Sequence, residues 1–449
     1  MTLISSRNAL NPTGGALSRP IIEASSFPLC TLVDVLSTRN IQSAWKQVRA
    51  NRGAPGIDGM SVENFPALVR PKWQDIKQQV LTGVYFPQPA KRVEIPKTNG
   101  GVRLLGIPTI LDRLLEQAIH QVLTPVFDPT FSSRSFGFRP RRSAHQALEE
   151  ILHWYQQGYR IAVDIDLEKF FDTVSHRVLM SRVSRRIQDA GILQLIRRYL
   201  RSGTVVNGRL NQTRRGVPQG SPLSPLLSNI LLDDLDKELE KRGHKFARYA
   251  DDVMILVKSQ RAGERVMQSI TRFLEKKLKV KVNREKSKVA PLEERTFLGF
   301  CFQRKRFWAT EKSLQKFKQR VRELSSRSWG VSTQSRLKSL KEYIQGWLGY
   351  YAIGLKYDTA VELDHWLRRR IRMCYWKQWK RPGTRIRELL KLGVPKSQAI
   401  LVGLSRKGYW KLSRTLATNM GLTNEYLQKQ GLVSIRQLWI KCHYPATAR

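Results

Sequence analysis

Two neighbouring carboxylates, Asp251 and Asp252, follow Tyr249 and Ala250 and lead straight into the apolar run Val253-Met254-Ile255-Leu256-Val257. Like charges on adjacent residues repel, and each raises the pKa of the other. A divalent cation held against such a pair offsets that cost. Upstream, Tyr159 to Leu167 alternates: Ile161, Val163, Ile165 and Leu167 fall on one face, Asp164 and Asp166 on the other. This reads as a strand with a core face and a carboxylate face. If it neighbours the strand after Asp252, then Asp166, Asp251 and Asp252 meet at one edge of a sheet. Three convergent carboxylates are what two-metal phosphoryl transfer needs: one ion activates an attacking 3′-hydroxyl, and both stabilise charge on the phosphate. The plainer alternative is that Asp164 and Asp166 are solvent-facing residues of a half-buried strand.

Other residues extend the phosphoryl-transfer reading. Phe170 and Phe171 follow Asp166 closely. One aromatic at this distance can lie under the sugar of an incoming nucleotide and clash with a 2′-hydroxyl; Phe170 is expected to be core. Gly216-Val217-Pro218-Gln219-Gly220-Ser221-Pro222-Leu223-Ser224-Pro225 holds three Pro and two Gly in a non-helical path. Gln219 there is an amide able to touch a base or sugar, although the segment also reads as a rigid entrance to a helix. Lys97 and Arg103 bracket a Gly100-Gly101 turn and could reach over one triphosphate. Lys286, in Val282-Asn283-Arg284-Glu285-Lys286-Ser287, could protonate or neutralise a pyrophosphate leaving group.

The elements that must position these groups are legible as patterns. A helix is expected from Arg39 to Val48, followed by the Gly- and Pro-rich turn Gly53 to Gly59. Val93-Glu94-Ile95-Pro96 and Arg103-Leu104-Leu105-Gly106-Ile107 read as a hairpin. Helices are expected over Asp112 to Val126, His176 to Arg186, Ile192 to Leu200 and from Pro222 through Leu235. Beyond residue 312 the pattern becomes helical and basic. Leu314, Phe317, Val321 and Leu324 repeat at helical spacing, and Leu337, Leu340, Ile344, Trp347, Leu348 and Tyr351 form a second amphipathic helix. Trp366, Trp376 and Trp379 stand among Lys and Arg; they either stack on bases or fill a helical core, and core is favoured for Trp366. The run Arg368-Arg369-Arg370 is expected to face a nucleic-acid backbone.

Composition narrows the partners. The 449 residues carry 79 Lys and Arg against 36 Asp and Glu, a net charge of +43. Such a chain self-repels unless a polyanion offsets it, and nucleic acid leads an anionic membrane as the candidate. Hydrophobic residues make up 41% of the chain, enough for real cores. No membrane span and no signal-peptide pattern is present. The four Cys have no CxxC spacing and the seven His are scattered, which gives no support to a zinc site or a disulfide framework.

In combination these landmarks resemble the reverse transcriptases encoded by bacterial group II introns, over about residues 39 to 380. They are Asn51 to Gly59, Val93-Glu94-Ile95-Pro96-Lys97, Leu105-Gly106-Ile107-Pro108-Thr109 and Ser135-Phe136-Gly137-Phe138-Arg139-Pro140. They continue through Val163 to Asp172, Pro218-Gln219-Gly220, Tyr249 to Asp252, Asn283 to Ser287 and Phe297-Leu298-Gly299-Phe300. The resemblance implies an α+β right-hand polymerase fold: fingers, a palm with an antiparallel sheet, and a helical thumb. It implies Asp166, Asp251 and Asp252 as catalytic ligands of Mg²⁺, with Mn²⁺ as a substitute. Lys97, Arg103, Ile107, Phe171, Gln219 and Lys286 then contact the dNTP, with Phe171 as the sugar gate, and Arg139 joins Arg368, Arg369 and Arg370 on nucleic acid.

The expected organisation is a flexible leader over 1–38, an N-terminal extension gripping template over 39–80, fingers and palm over 81–312, a thumb or maturase domain X over 313–384, and a basic DNA/RNA-binding region over 385–449. The expected partners are an RNA template, a DNA or RNA primer, group II intron RNA and a DNA target, without a membrane, in a cytoplasmic, nucleoid-associated bacterial protein. The alternatives are a free-standing relative serving the host in repair or defence, and a splicing factor with a vestigial polymerase site. Two departures stand out. Ser221 replaces a Gly usual after the Gln-Gly and is expected to place a side chain near the active site. The absence of a His/Cys-rich nuclease module speaks against second-strand cleavage.

Overall fold

The computed structural model describes residues 30–96, 102–206, 208–212 and 214–445. Its strands are β1 (Ala90–Pro96), β2 (Val102–Ile107), β3 (Ile161–Ile165), β4 (Thr204–Val206), β5 (Arg209–Asn211), β6 (Lys245–Tyr249), β7 (Asp252–Val257), β8 (Lys288–Pro291), β9 (Thr296–Phe297), β10 (Phe300–Gln303) and β11 (Arg306–Ala309). The central sheet runs β6-β7-β3-β8 and is antiparallel throughout. β3 lies in its interior, and Ile165 pairs with Val253.

Both faces of this sheet are packed. Val163, Ile165 and Val253 join a core with Ile230 and Leu231 of the helix Ser224–Lys241 and Ile270 of the helix Gln260–Phe273. Ala162, Met254 and Leu256 join another core with Leu148 and Ile151 of the helix Ala144–Gln156 and with Phe300 and Phe302 of β10. The expected division of β3 into a core face and a carboxylate face therefore needs correction. Ala162 is fully buried, and Asp164 is ion-paired to Arg295. That face is most open at its C-terminal end, where Asp166 sits.

A second sheet, β2-β1-β4-β5, carries the expected β1–β2 hairpin, with β4 parallel to β1. The Gly100-Gly101 turn lies outside the described residues. Behind the hairpin runs the helix Ile110–Phe127, where the side chain of Thr109 accepts from the Asp112 backbone N–H. The helix Thr38–Ala50 packs on it through Ala44 and Val48. Of the leader expected over 1–38, residues 1–29 lie outside the described residues and the rest is part of the fold. Residues Leu32–Val35 form a helix with a capping box from Thr31, and Leu32, Val35 and Leu36 are buried in the main core.

Beyond β11, the helices Glu311–Leu324, Thr333–Tyr351 and Tyr357–Gln378 share a core that continues through Leu389, Leu412 and Leu427 to Ile435. Trp376 is its largest fully buried side chain and donates its ring N–H to the Thr418 hydroxyl at 3.0 Å. Trp379 is also buried, so neither ring stacks on bases; both fill the core, and Trp366 is partly buried against it. Among the described residues no helix is long and apolar enough to cross a membrane. Replacing a fully buried Trp by Ala typically costs about 3–5 kcal/mol. Urea denaturation of Trp376→Ala should show a loss of this size, with Trp376→Phe losing less than half as much.

Candidate active site

β6 and β7 pair up to Tyr249 opposite Asp252, leaving Ala250 and Asp251 as the tip of a two-residue turn. Ala250 holds φ +58, a left-handed conformation that costs an L-residue energy and must be imposed by its surroundings. Arg248 imposes it. Its guanidinium is fully buried and uses all five N–H groups. It pairs with Asp236 through Nε at 2.7 Å and Nη2 at 2.5 Å, and it reaches Asn229 Oδ1 and the Ala250 carbonyl from Nη1, both at 2.9 Å, and Ser135 Oγ from Nη2 at 2.8 Å. Asn229 in turn donates to the Gly137 carbonyl at 2.9 Å. A Cβ on Gly137 would come within 2.3 Å of the Ala250 backbone nitrogen, so only glycine lets this segment lie against the turn.

The β3–β7 register brings Asp166, one residue past the end of β3, beside Asp252 at the start of β7. Asp252 is exposed but is not among the residues that line the cleft holding Asp166 and Asp251; protein packed around its carboxyl limits its solvation, and Asp251, Asp164 and Asp166 add like charge. Its pKa is pushed up to about 6 for those reasons, in that order. Such repulsion is what a cation would relieve, and hard oxygen donors from two chain segments suit Mg²⁺. The side chains are not drawn into a closed ligating cluster among the described residues. Asp166 is anchored by its backbone: its N–H donates to Ser287 Oγ at 3.0 Å, and its carbonyl accepts from the Asn283 N–H at 2.9 Å. The Lys286 ammonium lies 4.0 Å from the Asp166 carboxylate.

Asp166, Asp251, Phe171, Gln219 and Lys286 line one open cleft of about 850 Å³. Phe170 is core and its ring packs edge-on to Phe171, with centroids 5.4 Å apart. The Val217 N–H donates to the Phe171 carbonyl at 2.6 Å, which ties the 216–225 segment to the aromatic. Gly216 allows this with φ +93, because a Cβ there would meet the Phe171 carbonyl oxygen at 2.8 Å. On the other side the Gly106 N–H donates to the Gln219 carbonyl at 2.7 Å.

Ser221 does not face the cleft. It is buried, and its oxygen accepts from the Leu223 N–H at 3.2 Å, near the buried Glu116, whose carboxyl is pushed well up by desolvation. The side chain is short and the Gly220 turn directs it inward, opposite to expectation. Arg92, which sequence reasoning passed over, also lines the cleft. Its signal was its place on the hairpin strand opposite Gly106.

Several expected residues are placed elsewhere. Lys97 lies outside the described residues, and Arg103 stands on β2 opposite Ile95. Ile107 ends β2, whereas the cleft wall on that strand is Val102, Leu104, Leu105 and Gly106. Arg139, expected on nucleic acid, is consumed internally. It pairs with Asp128 at 2.7 Å and donates to the carbonyls of Ser132 at 2.6 Å, Ser135 at 2.9 Å and Asp128 at 2.8 Å. Arg368 pairs with the buried Asp364 at 3.0 Å, Arg369 stacks on Trp410 at 3.8 Å, and Arg370 donates to Ser325 Oγ at 2.5 Å. Each guanidinium of the triple Arg run thus has a protein partner, Arg368 one turn back on its own helix and Arg369 and Arg370 on other segments.

A carboxylate-edged antiparallel sheet, a hairpin-bearing sheet over its cleft and a helical domain beyond define a right-hand polymerase. Residues 95–302 match the family described as "Reverse transcriptase (RNA-dependent DNA polymerase)", and residues 314–393 match "Group II intron, maturase-specific domain". Protein YkfC of Escherichia coli (strain K12) is 33% identical over 298 residues, covering 57% of this chain and 78% of its own. The group II intron-encoded protein LtrA of Lactococcus lactis subsp. cremoris is 36% identical over 206 residues, which is 46% of this chain and 34% of LtrA. Among solved structures, a chain of a partial Cas6-RT-Cas1–Cas2 complex shares 28% identity with a TM-score of 0.36, over 55% of this chain and 43% of that one. The chain belongs to the group II intron-like reverse transcriptases, with a polymerase domain followed by a maturase-specific domain.

Two outcomes follow from this geometry. Removing one partner of a buried ion pair typically costs about 3–5 kcal/mol. Arg248→Ala should lose that much by chemical denaturation, and Asp236→Ala should add little more in the double variant. The second concerns Asp252, whose folded pKa is raised above its unfolded value. The folded state then carries a penalty above pH 6 that vanishes below about pH 4. In metal-free protein, Asp252→Asn should raise stability by roughly 1 kcal/mol or less at pH 8, after allowance for solvent screening, and leave it unchanged at pH 4.

Proposed function

We propose that this reverse transcriptase extends a primer along an RNA template with dNTPs, by nucleotidyl transfer at Asp166, Asp251 and Asp252, and that it binds group II intron RNA to assist splicing and insertion into a DNA target. The observation that carries the polymerase reading is the single cleft lined by Asp166, Asp251, Phe171, Gln219 and Lys286. The three carboxylates would hold Mg²⁺, or Mn²⁺ in its place. When bound, such ions activate the 3′-hydroxyl and neutralise charge on the transferring phosphate. The remaining work falls to the chain itself.

Phe171, held through its carbonyl by Val217, forms the floor under the sugar and excludes a 2′-hydroxyl. Gln219, fixed by Gly106, orients the nucleotide. Lys286 lies close enough to the carboxylate edge to supply a proton to the departing pyrophosphate oxygen. Arg92 joins the hairpin residues Lys97 and Arg103 as a cation for the triphosphate. Arg39, Lys46 and Arg49 project from the exposed face of the Thr38–Ala50 helix, which suits that helix to a template backbone. The maturase-specific match over 314–393 supports intron RNA as the further partner.

Three measurements test this reading. Loss of about 4 kcal/mol of transition-state stabilisation is roughly a 10³-fold rate loss, so Asp251→Ala should abolish primer extension to at least that degree while leaving RNA binding intact. Phe171→Ala should lower discrimination of dNTP over rNTP by about tenfold or more, as expected when a steric contact worth 1–3 kcal/mol is removed. Unchanged discrimination would remove the sugar-gate role. RNA that co-purifies from the native host should be one dominant structured intron transcript. A diffuse mixture, with extension intact, would instead identify a free-standing polymerase serving the host in DNA repair or defence.

A further inference from the structure

We infer that a second basic cleft, beside the nucleotide cleft, binds the pyrophosphate released at each addition. The inference rests on the polymerase reading above and adds a product site to it. The cleft has a volume of about 1230 Å³ and shares Glu168, Arg215 and Asn283 with the wall of the nucleotide cleft, so the two are contiguous. Its cations are Arg177, Arg215, Lys279, Lys281 and Arg284, against Glu168, Glu275 and Glu285. Among the described residues only Arg284 is matched, to Glu275 at 3.8 Å. Arg177, Arg215, Lys279 and Lys281 make no ion pair and no side-chain hydrogen bond among those residues, although three acids stand in the same cleft.

The backbone explains why unpaired cations gather there. Lys279 has φ +57 and ends the turn Leu274–Leu278. The chain then alternates, with Val280 and Val282 buried, so Lys279 and Lys281 are left on the exposed side. The Lys281 carbonyl accepts from the Glu168 N–H at 2.9 Å, which fixes this edge two residues beyond Asp166. A bridge between Ser175 and Arg215 holds the opposite wall, at the start of the helix His176–Val183. Holding unpaired like charges together costs energy unless an anion arrives.

In nucleotidyl transfer the 3′-oxygen bonds to the α-phosphorus, the bridging α–β P–O bond breaks, and the electron pair leaves with pyrophosphate. That product is compact and multiply anionic. It departs from the side of Lys286 and Asn283, and Asn283 is a wall common to both clefts. Lys and Arg in one contiguous pocket match a small polyphosphate, whereas a duplex backbone would require a track of cations at phosphate spacing.

Calorimetric titration of magnesium pyrophosphate into the full chain tests this directly. Loss of two charge-assisted contacts corresponds to roughly tenfold or more in affinity. The double variant Arg177→Ala/Lys281→Ala should bind pyrophosphate weaker by that factor. Arg177→Lys/Lys281→Arg should retain binding, and affinity for a primer–template duplex should stay within about twofold in both. Lys279→Glu alone, checked for an unchanged melting profile, should weaken pyrophosphate binding as well. Unchanged pyrophosphate affinity would overturn the inference. So would a parallel loss of duplex affinity, which would make the cleft a nucleic-acid track. The titration reads binding and not extension, so failure of wild-type protein to extend primers would count against the polymerase reading alone.

Discussion

The active turn depends on one buried arginine. Arg248 lies directly behind Asp251 and Asp252, and its five donors join three segments that are far apart in the chain: the helix Ser224–Lys241, the stretch Ser135–Gly137 and the turn itself. A buried ion pair is a weak source of net stability, because desolvation of both charges offsets most of their attraction. What it supplies is geometry. With every donor satisfied, the guanidinium admits one arrangement of the Ala250 carbonyl, and the left-handed Ala250 is held there. The turn then needs glycine at position 137, and the carboxylates of Asp251 and Asp252 are presented side by side in spite of their repulsion.

Repulsion is the recurring theme of this molecule, in both signs. At the carboxylate edge, acids crowd together and Asp252 shifts upward. Over the rest of the surface the net charge of +43 crowds cations. The fold deals with many of these cations internally: Arg139 wraps Asp128 and three carbonyls, Arg368 pairs with Asp364, and Arg369 stacks on Trp410. Those not so absorbed, such as Arg177, Lys279 and Lys281, are the ones whose position carries information. In a strongly basic chain, the partner of an arginine tells more than its presence.

The polymerase region and the helical domain have separate cores, joined through a third around Phe300, Phe302, Tyr350 and Tyr351. Tyr350 bridges the two sides: its hydroxyl donates to the Leu298 carbonyl at 2.8 Å, and its own carbonyl meets His145 Nε2 at 2.8 Å. The β9–β11 sheet thus acts as a seat for the helical domain. On the helical side, apolar residues before and after position 384 share one core, so the basic C-terminal stretch is tied to the domain before it by packing as well as by sequence.

Periodicity and residue type alone determined much here. The existence of strand β3, the β1–β2 hairpin, the helices after residue 312 and the core position of Phe170 were all legible, because burial imposes local repeats that read directly from the chain. The reverse transcriptase family was legible too, in the order of the motifs taken together and not in any one of them. Tertiary structure decided the rest. Whether Asp166 meets Asp252 depended on β3 pairing with β7, a register between strands some 90 residues apart in sequence order and set by packing on both faces. Arg248 gave no local sign of its role, because Ser135, its partner 113 residues away, is invisible to any periodicity. The partners of Arg369 and Arg370, Trp410 and Ser325, were hidden for the same reason. A polar side chain states what it can bond, but only the folded chain supplies the group it bonds to.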